Sequence, residues 1–327
     1  MMELQKMKSN VVGIDIGIAT TTYAVIDLRG NILAQESFDT REYPNIDNYL
    51  GVLSEHLVNL VERTCGYENI RSVGVCCPNS NYKTGCVENA TNLQWKGVIP
   101  LAALMRDRLG LAVALANNSQ CIALGEQAFG AAHGMRDFVI ITLGHGMGSC
   151  FFSNGKMHMG NKGFAGEIGH TCVVPNGREC SCGHRGCLES YCAERGVIQT
   201  AKELLAESNE PSMLRNVDDI NPKVLTEMAE LGDHLAIETW RRTGEMLGMG
   251  LANYASILNP EAIILTGGLP HAGRWLLEPT EAAFENHVFR NIKGQTRLLV
   301  SSLKDGERDV LGASVLAWQV KEYSLFL

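Results

Sequence analysis

The chain carries the same order of strands twice. Val11-Val12-Gly13-Ile14-Asp15-Ile16 reads as a buried strand ending at Gly17, and Thr21 to Ile26 and Asn31 to Glu36 read as two more, joined through Asp27-Leu28-Arg29-Gly30. Phe138 to Leu143 repeats the pattern: it meets Gly144, continues through Ser149-Cys150-Phe151-Phe152, turns at Asn154-Gly155 and resumes at Lys156. After the first triplet, Ile46, Tyr49, Leu50, Leu53, Leu57, Leu60 and Val61 fall at helical spacing, and Ser72 to Cys76 and Ala112 to Leu115 return to strand. After the second, helices near 189–206 and 233–257 precede a strand over Ala262 to Leu265. Strands alternating with helices make the class α/β, and the duplication predicts two related halves. The expected domains are a smaller N-terminal α/β domain over 1–116, completed by a C-terminal helix over 311–327, and a larger α/β domain over 117–310.

One loop of the second half carries a metal-binding pattern. Gly166-Glu167-Ile168-Gly169-His170 followed by Cys180-Ser181-Cys182-Gly183-His184-Arg185-Gly186-Cys187-Leu188-Glu189 brings one imidazole and three thiols within eighteen residues. His170, Cys180, Cys182 and Cys187 would fill all four positions of a tetrahedral Zn²⁺, leaving none for water, so the zinc would be structural. Cys172 and His184 are rival ligands. Gly183 and Gly186 let the backbone fold tightly enough for Cys182 and Cys187 to reach one ion.

With 327 residues, 45% of them apolar and 20% charged, the chain can bury the cores of two ordinary domains. No apolar run approaches bilayer-spanning length, and no hydrophobic segment follows Met1 to Lys8. Eleven cysteines, an odd number spread through strands, helices and the loop, suit a reducing compartment, which points to the cytoplasm. A net charge of −8 argues against a nucleic acid or an anionic membrane as partner.

Two glycine turns at equivalent strand ends, Asp15-Ile16-Gly17 and Leu143-Gly144-His145-Gly146-Met147-Gly148, could bring backbone N–H groups close to a polyphosphate in a cleft between domains. A third, Thr266-Gly267-Gly268, suits the face of a purine. Asp15 would face the phosphates, where a carboxylate is tolerated only with Mg²⁺ between them.

Taken together, these residues resemble the ROK family of repressors, open reading frames and sugar kinases, in its glucokinase-like branch. The likeness runs from Gly13 to Gly17 through Ala90-Thr91-Asn92-Leu93-Gln94-Trp95, Leu124-Gly125-Glu126 and the cysteine loop to Leu258 to Ala262 and Leu311-Gly312-Ala313. The resemblance implies an actin-like ATPase (ribonuclease H-like) fold of two domains, ATP with Mg²⁺ and a hexose as ligands, and a homodimer. It implies sugar contacts from Glu167, His170 and Glu189, with Asn92 and Asn117 nearby; Asn118 and Asn79, the latter in a Cys77 to Asn81 loop that departs from the family pattern, could also contact a hydroxyl. His170 would bind zinc through one ring nitrogen and a sugar hydroxyl through the other.

The chain departs from the family pattern where phosphoryl transfer is done. The family's general base is the Asp of an Asn-Asp-Ala-Asn stretch, which here reads Asn117-Asn118-Ser119-Gln120. Asn118 can orient a hydroxyl but cannot take its proton, and loss of a base costs a factor of about 10² to 10⁴. After Gly17 the chain has Ile18-Ala19-Thr20 where Gly-Thr is usual, leaving the hydroxyls of Thr20 and Thr21 as phosphate donors, and His145 replaces a Thr beside Gly144, Gly146 and Gly148. The implied function is a glucokinase-like sugar kinase of reduced activity. The alternative is a hexose-binding sensor or partner subunit without turnover. A DNA-binding repressor is not expected, because only about ten residues precede Val11 where a helix-turn-helix region would be needed.

Overall fold

The computed structural model describes residues 8–90 and 92–320. Thr91 of the Ala90 to Trp95 stretch, and residues 321–327 of the expected C-terminal helix, lie outside the described residues.

The chain divides into two compact units. The first holds described residues up to 133, together with 159–164 and 302–320. Its main sheet is formed by β1 (Asn10–Ile16), β2 (Thr20–Asp27), β3 (Ile32–Asp39), β4 (Ile70–Cys76) and a last strand, β8 (Ala112–Ala116). Before that last strand, β5 (Ser80–Asn81), β6 (Cys86–Glu88) and β7 (Val98–Ile99) make a small antiparallel sheet. The main order is β3-β2-β1-β4-β8, antiparallel across the first three and parallel from β1 through β4 to β8. β1 is almost wholly buried, as a central strand covered on both faces must be, whereas β3 at the edge alternates half-buried and exposed residues. The helices here are α1 (Ile46–Thr64), α2 (Leu101–Leu109) and α3 (Asn118–Phe129). Asn45 caps α1 by accepting from the Asp47 and Asn48 N–H groups, and the helix buries the stripe from Tyr49 to Val61 read from the sequence.

The second unit holds residues 134–158 and 165–301. Its sheet uses β9 (Phe138–Leu143), β10 (Met147–Ser153), β11 (Lys156–Met157), β12 (Ala262–Thr266) and β13 (Arg297–Val300), in the order β11-β10-β9-β12-β13. The pattern of antiparallel and parallel neighbours is the same as in the first unit. Asn154 and Gly155, at φ 53° and 74°, make the left-handed turn that pairs Ser153 with Lys156. α4 (Glu189–Cys192), α5 (Glu194–Glu207), α6 (Pro222–Glu230), α7 (His234–Leu258) and α8 (Arg274–His287) complete it, around a core that includes Trp240, Leu247, Leu251 and Phe284.

The last described helix, α9 (Arg308–Gln319), belongs to the first unit. It lies on the sheet where side chains are missing: a Cβ on Gly13 would stand 2.2 Å from the Val310 carbonyl oxygen, and one on Gly74 1.8 Å from that of Ala313. α3 packs on the same helix, since a Cβ on Gly312 would stand 2.0 Å from the Cys121 carbonyl oxygen. These contacts draw α3 and residues 302–310 into the first unit, so the division falls after 133 and not after 116 as expected. Among the described residues no helix is long and apolar enough to cross a membrane.

Candidate active site and metal loop

Four element ends of the first unit converge. Asp15 near the end of β1, Cys76 at the end of β4 and Asp309 in the first turn of α9 hold their oxygen and sulfur atoms within 4.8 Å of one another. Asn118, the first residue of α3, donates its amide to Asp15 Oδ1 at 3.5 Å and favours the charged form of Asp309 beside it. Cys76 Sγ lies 4.0 Å from Asp309 Oδ1, and Arg308 Nη2 3.5 Å from Asp309 Oδ2. Burial, and then the like charge of Asp309, push the Asp15 carboxyl up to about 7. Burial also raises Asp309, against the pull of Arg308. The sequence reading found Asp15 and Asn118 but missed Asp309. Its only signal is an Arg308-Asp309 pair opening a helix that Gly13 and Gly74 let settle on β1 and β4.

Gly17 donates to the Thr20 carbonyl at 2.9 Å, and a Cβ there would stand 2.7 Å from that oxygen, so the turn requires glycine. Thr20 is exposed, and Ile18 is 46% exposed. Thr21 is a correction: its side chain is fully buried, with the hydroxyl hydrogen-bonded to Thr40 at 2.9 Å and Tyr49 at 2.8 Å. It points into the core because alternation along β2 turns it there, and it is no phosphate donor. In the second turn, Gly144 N–H donates to Gly146 O and Gly148 N–H to Thr142 Oγ1, so these two amides already have acceptors. His145 pairs with Glu194 at 2.7 Å. Gly267 sits at φ 97° and has no room for a Cβ, which would stand 2.3 Å from the Leu143 carbonyl oxygen. Gly268 lines a cavity of about 650 Å³ with Leu269, His271, Ala272 and Trp240, whose buried indole N–H has no acceptor among the described residues.

His170, Cys180, Cys182 and Cys187 place their ligand atoms within 4.8 Å of one another, and Cys172 and His184 do not join the set. Around a tetrahedral Zn²⁺ two thiolates stand about 3.8 Å apart, and a thiolate and an imidazole nitrogen about 3.6 Å. Cys182 Sγ to Cys187 Sγ is 3.7 Å and Cys180 Sγ to His170 Nδ1 is 3.6 Å. Soft sulfur with one imidazole is the donor set of a closed structural site, so the residues fit the ion. Among the described residues no cysteines form a disulfide.

The surrounding fold fixes this geometry. Tyr254 on α7 donates to the Ile168 carbonyl at 3.0 Å, anchoring the turn that presents His170. Gly186, at φ 78°, passes so close to Val174 that a Cβ would stand 1.8 Å from its carbonyl oxygen. Arg178 grips the carbonyls of Ser190 and Gly196 and the Thr200 hydroxyl, with its guanidinium over the Tyr191 ring. Without a cation, burial and the neighbouring thiols push Cys187 up to about 12, a cost that a bound metal reverses by stabilising the thiolate.

The expected sugar contacts are distributed over both units. In the second, Glu189 Oε2 accepts the Met147 N–H at 2.8 Å while Oε1 lies 3.9 Å from Cys180 Sγ, and Glu167 is exposed one turn before His170. In the first, Asn79 and Asn92 are exposed in loops. Asn117 Oδ1 accepts the Gln120 N–H at 2.9 Å in a capping box, so that oxygen serves the start of α3.

The family model described as ROK family matches residues 11–320. The chain belongs to the ROK family. A glucokinase of Halalkalibacterium halodurans is 29% identical over 320 residues, covering 95% of this chain and 94% of that protein. A xylose repressor of Caldicellulosiruptor bescii is 28% identical, covering 93% of this chain and 77% of its own length. The crystal structure of a ROK family glucokinase from Streptomyces griseus, in complex with glucose and AMPPNP, superposes with a TM-score of 0.77 at 30% identity, covering 95% of this chain and all of that one.

The two matching sheets are those of the actin-like ATPase fold that the ROK sugar kinases share. The ROK relatives of this chain thus include kinases of sugars and regulators, and its fold alone does not choose between them.

Proposed function

We propose that this ROK chain is a glucokinase-like hexose kinase that transfers the γ-phosphate of ATP to a sugar hydroxyl, at a rate lowered by Asn118. The observation that carries the reading is the pairing of His170 and Glu189 around one metal loop. Cys180 Sγ lies 3.6 Å from His170 Nδ1 and 3.9 Å from Glu189 Oε1, so the loop holds an imidazole and a carboxylate together. With Nδ1 turned to the thiols, Nε2 is the nitrogen left to a hexose hydroxyl, beside Glu167. Zinc bound to His170, Cys180, Cys182 and Cys187 would supply rigidity to that imidazole and no chemistry of its own.

Nucleotide binding rests on the glycine turns. The cavity lined by Gly268 and Trp240 has room for a purine, and the exposed Thr20 remains open to phosphate. Asp15 is the residue that would hold Mg²⁺, which neutralises phosphate charge when bound. Asn118 orients the attacking hydroxyl by its carboxamide. Phosphoryl transfer depends more on alignment and electrostatics than on proton removal, so this arrangement supports turnover. The protein is expected to act as a homodimer in the cytoplasm.

A second reading, a hexose-binding protein without turnover, is favoured by Asn118 alone. ADP release with ATP-Mg²⁺ and a hexose panel, set beside calorimetric hexose binding, separates the two. Hexose-dependent ADP supports the kinase, and binding without ADP supports the sensor.

A further inference from the structure

We infer that Asp309 supplies the proton acceptor that position 118 lacks. The inference rests on the kinase reading. Asn118 donates to Asp15 Oδ1 at 3.5 Å, and the Asp309 carboxylate lies within 4.8 Å of Asp15, so a hydroxyl aligned by that carboxamide reaches the Asp309 carboxylate directly or through one water. The carboxylate stands in the first turn of α9, packed against β1 and β4 by the contacts at Gly13 and Gly74, so its backbone position is fixed. Its side chain remains 19% exposed, enough to meet a ligand. Asp15 is the weaker candidate because it is only two residues from Gly17, whose turn is assigned to the phosphates.

The groups around Asp309 make a consistent set. Asn118 faces it from α3, Asp15 from β1, Cys76 from β4, and Arg308 and Asp305 from its own segment. An amide at 118 donates to Asp15 and favours the charged form of Asp309, whereas an aspartate there would add a third acid to the pair. The carboxylate has in effect moved from α3 to α9, and Asn118 is its positioning residue.

In the step proposed, the hexose O–H gives its proton to an Asp309 carboxylate oxygen while the hydroxyl oxygen forms a bond to the γ-phosphorus of ATP. The bond from that phosphorus to the β–γ bridging oxygen breaks, and its electron pair leaves with ADP. Asp309 then releases the proton to solvent.

The test uses the full-length protein, Asp309→Asn, and the exchange Asn118→Asp/Asp309→Asn, which keeps the number of carboxyls constant. Steady-state ADP release gives kcat and KM, calorimetry gives glucose affinity, and thermal unfolding checks folding. The expected result is a loss of about 10² or more in kcat for Asp309→Asn with glucose KM and affinity held within about threefold, and recovery to at least the parent rate in the exchange variant. A kcat within fivefold of the parent would overturn the assignment, as would lost glucose affinity, or an exchange variant that binds glucose without recovering. Absence of hexose-dependent ADP release from the parent would overturn the kinase reading and this inference together, whereas an active parent with an unaffected Asp309→Asn would overturn this inference alone.

Discussion

Asp15 is expected to destabilise the ligand-free fold at neutral pH. Its carboxyl is raised from the usual 3.8 to about 7, first by burial and then by Asp309. An acid raised in the folded state keeps a proton there that the unfolded chain has already released. Stability therefore falls as pH rises from about 4 to about 7, at about 1.4 kcal/mol per unit, and is level above that window. Three units give about 4 kcal/mol. Because Asp15 and Asp309 titrate as an interacting pair, the expected measured cost is about 2–4 kcal/mol. Asp15→Asn keeps the shape and still accepts from Asn118, so it should match the parent at pH 4 and exceed its unfolding free energy by about 2–4 kcal/mol at pH 8. Urea unfolding at pH 4, 6 and 8 without nucleotide reads this directly. A difference independent of pH, or a variant less stable at pH 8, would refute the reasoning.

Cys182→Ser removes one of four ligands and should release the metal and weaken hexose binding together; metal analysis beside calorimetry checks it, and unchanged affinity in the metal-free variant would contradict the coupling through His170. Thr21→Val strands the Tyr49 and Thr40 hydroxyls in the core and should cost about 1–3 kcal/mol of stability without altering nucleotide affinity, as chemical unfolding and nucleotide titration would show.

The strand triplets and the cysteine loop were legible because each is local. Alternation, a left-handed Asn154-Gly155 turn and ligands within eighteen residues are all written in short stretches. Thr21 misled because its hydroxyl looks available beside a glycine turn, and only the pleat of β2 shows that it faces inward. The domain boundary and Asp309 were not legible for one reason. Both depend on α9 returning to β1 and β4, a pairing of residues about 240 to 300 positions apart, through glycines whose missing side chains signal nothing until the helix is seen against them. The orphaned Trp240 N–H and the Gly268 cavity likewise depend on α6 and α7 being placed together.

The measurement closest to the central claim is ADP release from ATP-Mg²⁺ by the purified protein across a panel of hexoses. The account predicts hexose-dependent release that is slow and saturable and falls when His170 or Glu189 is replaced. Hexose binding by calorimetry with no ADP above the sugar-free control would contradict it.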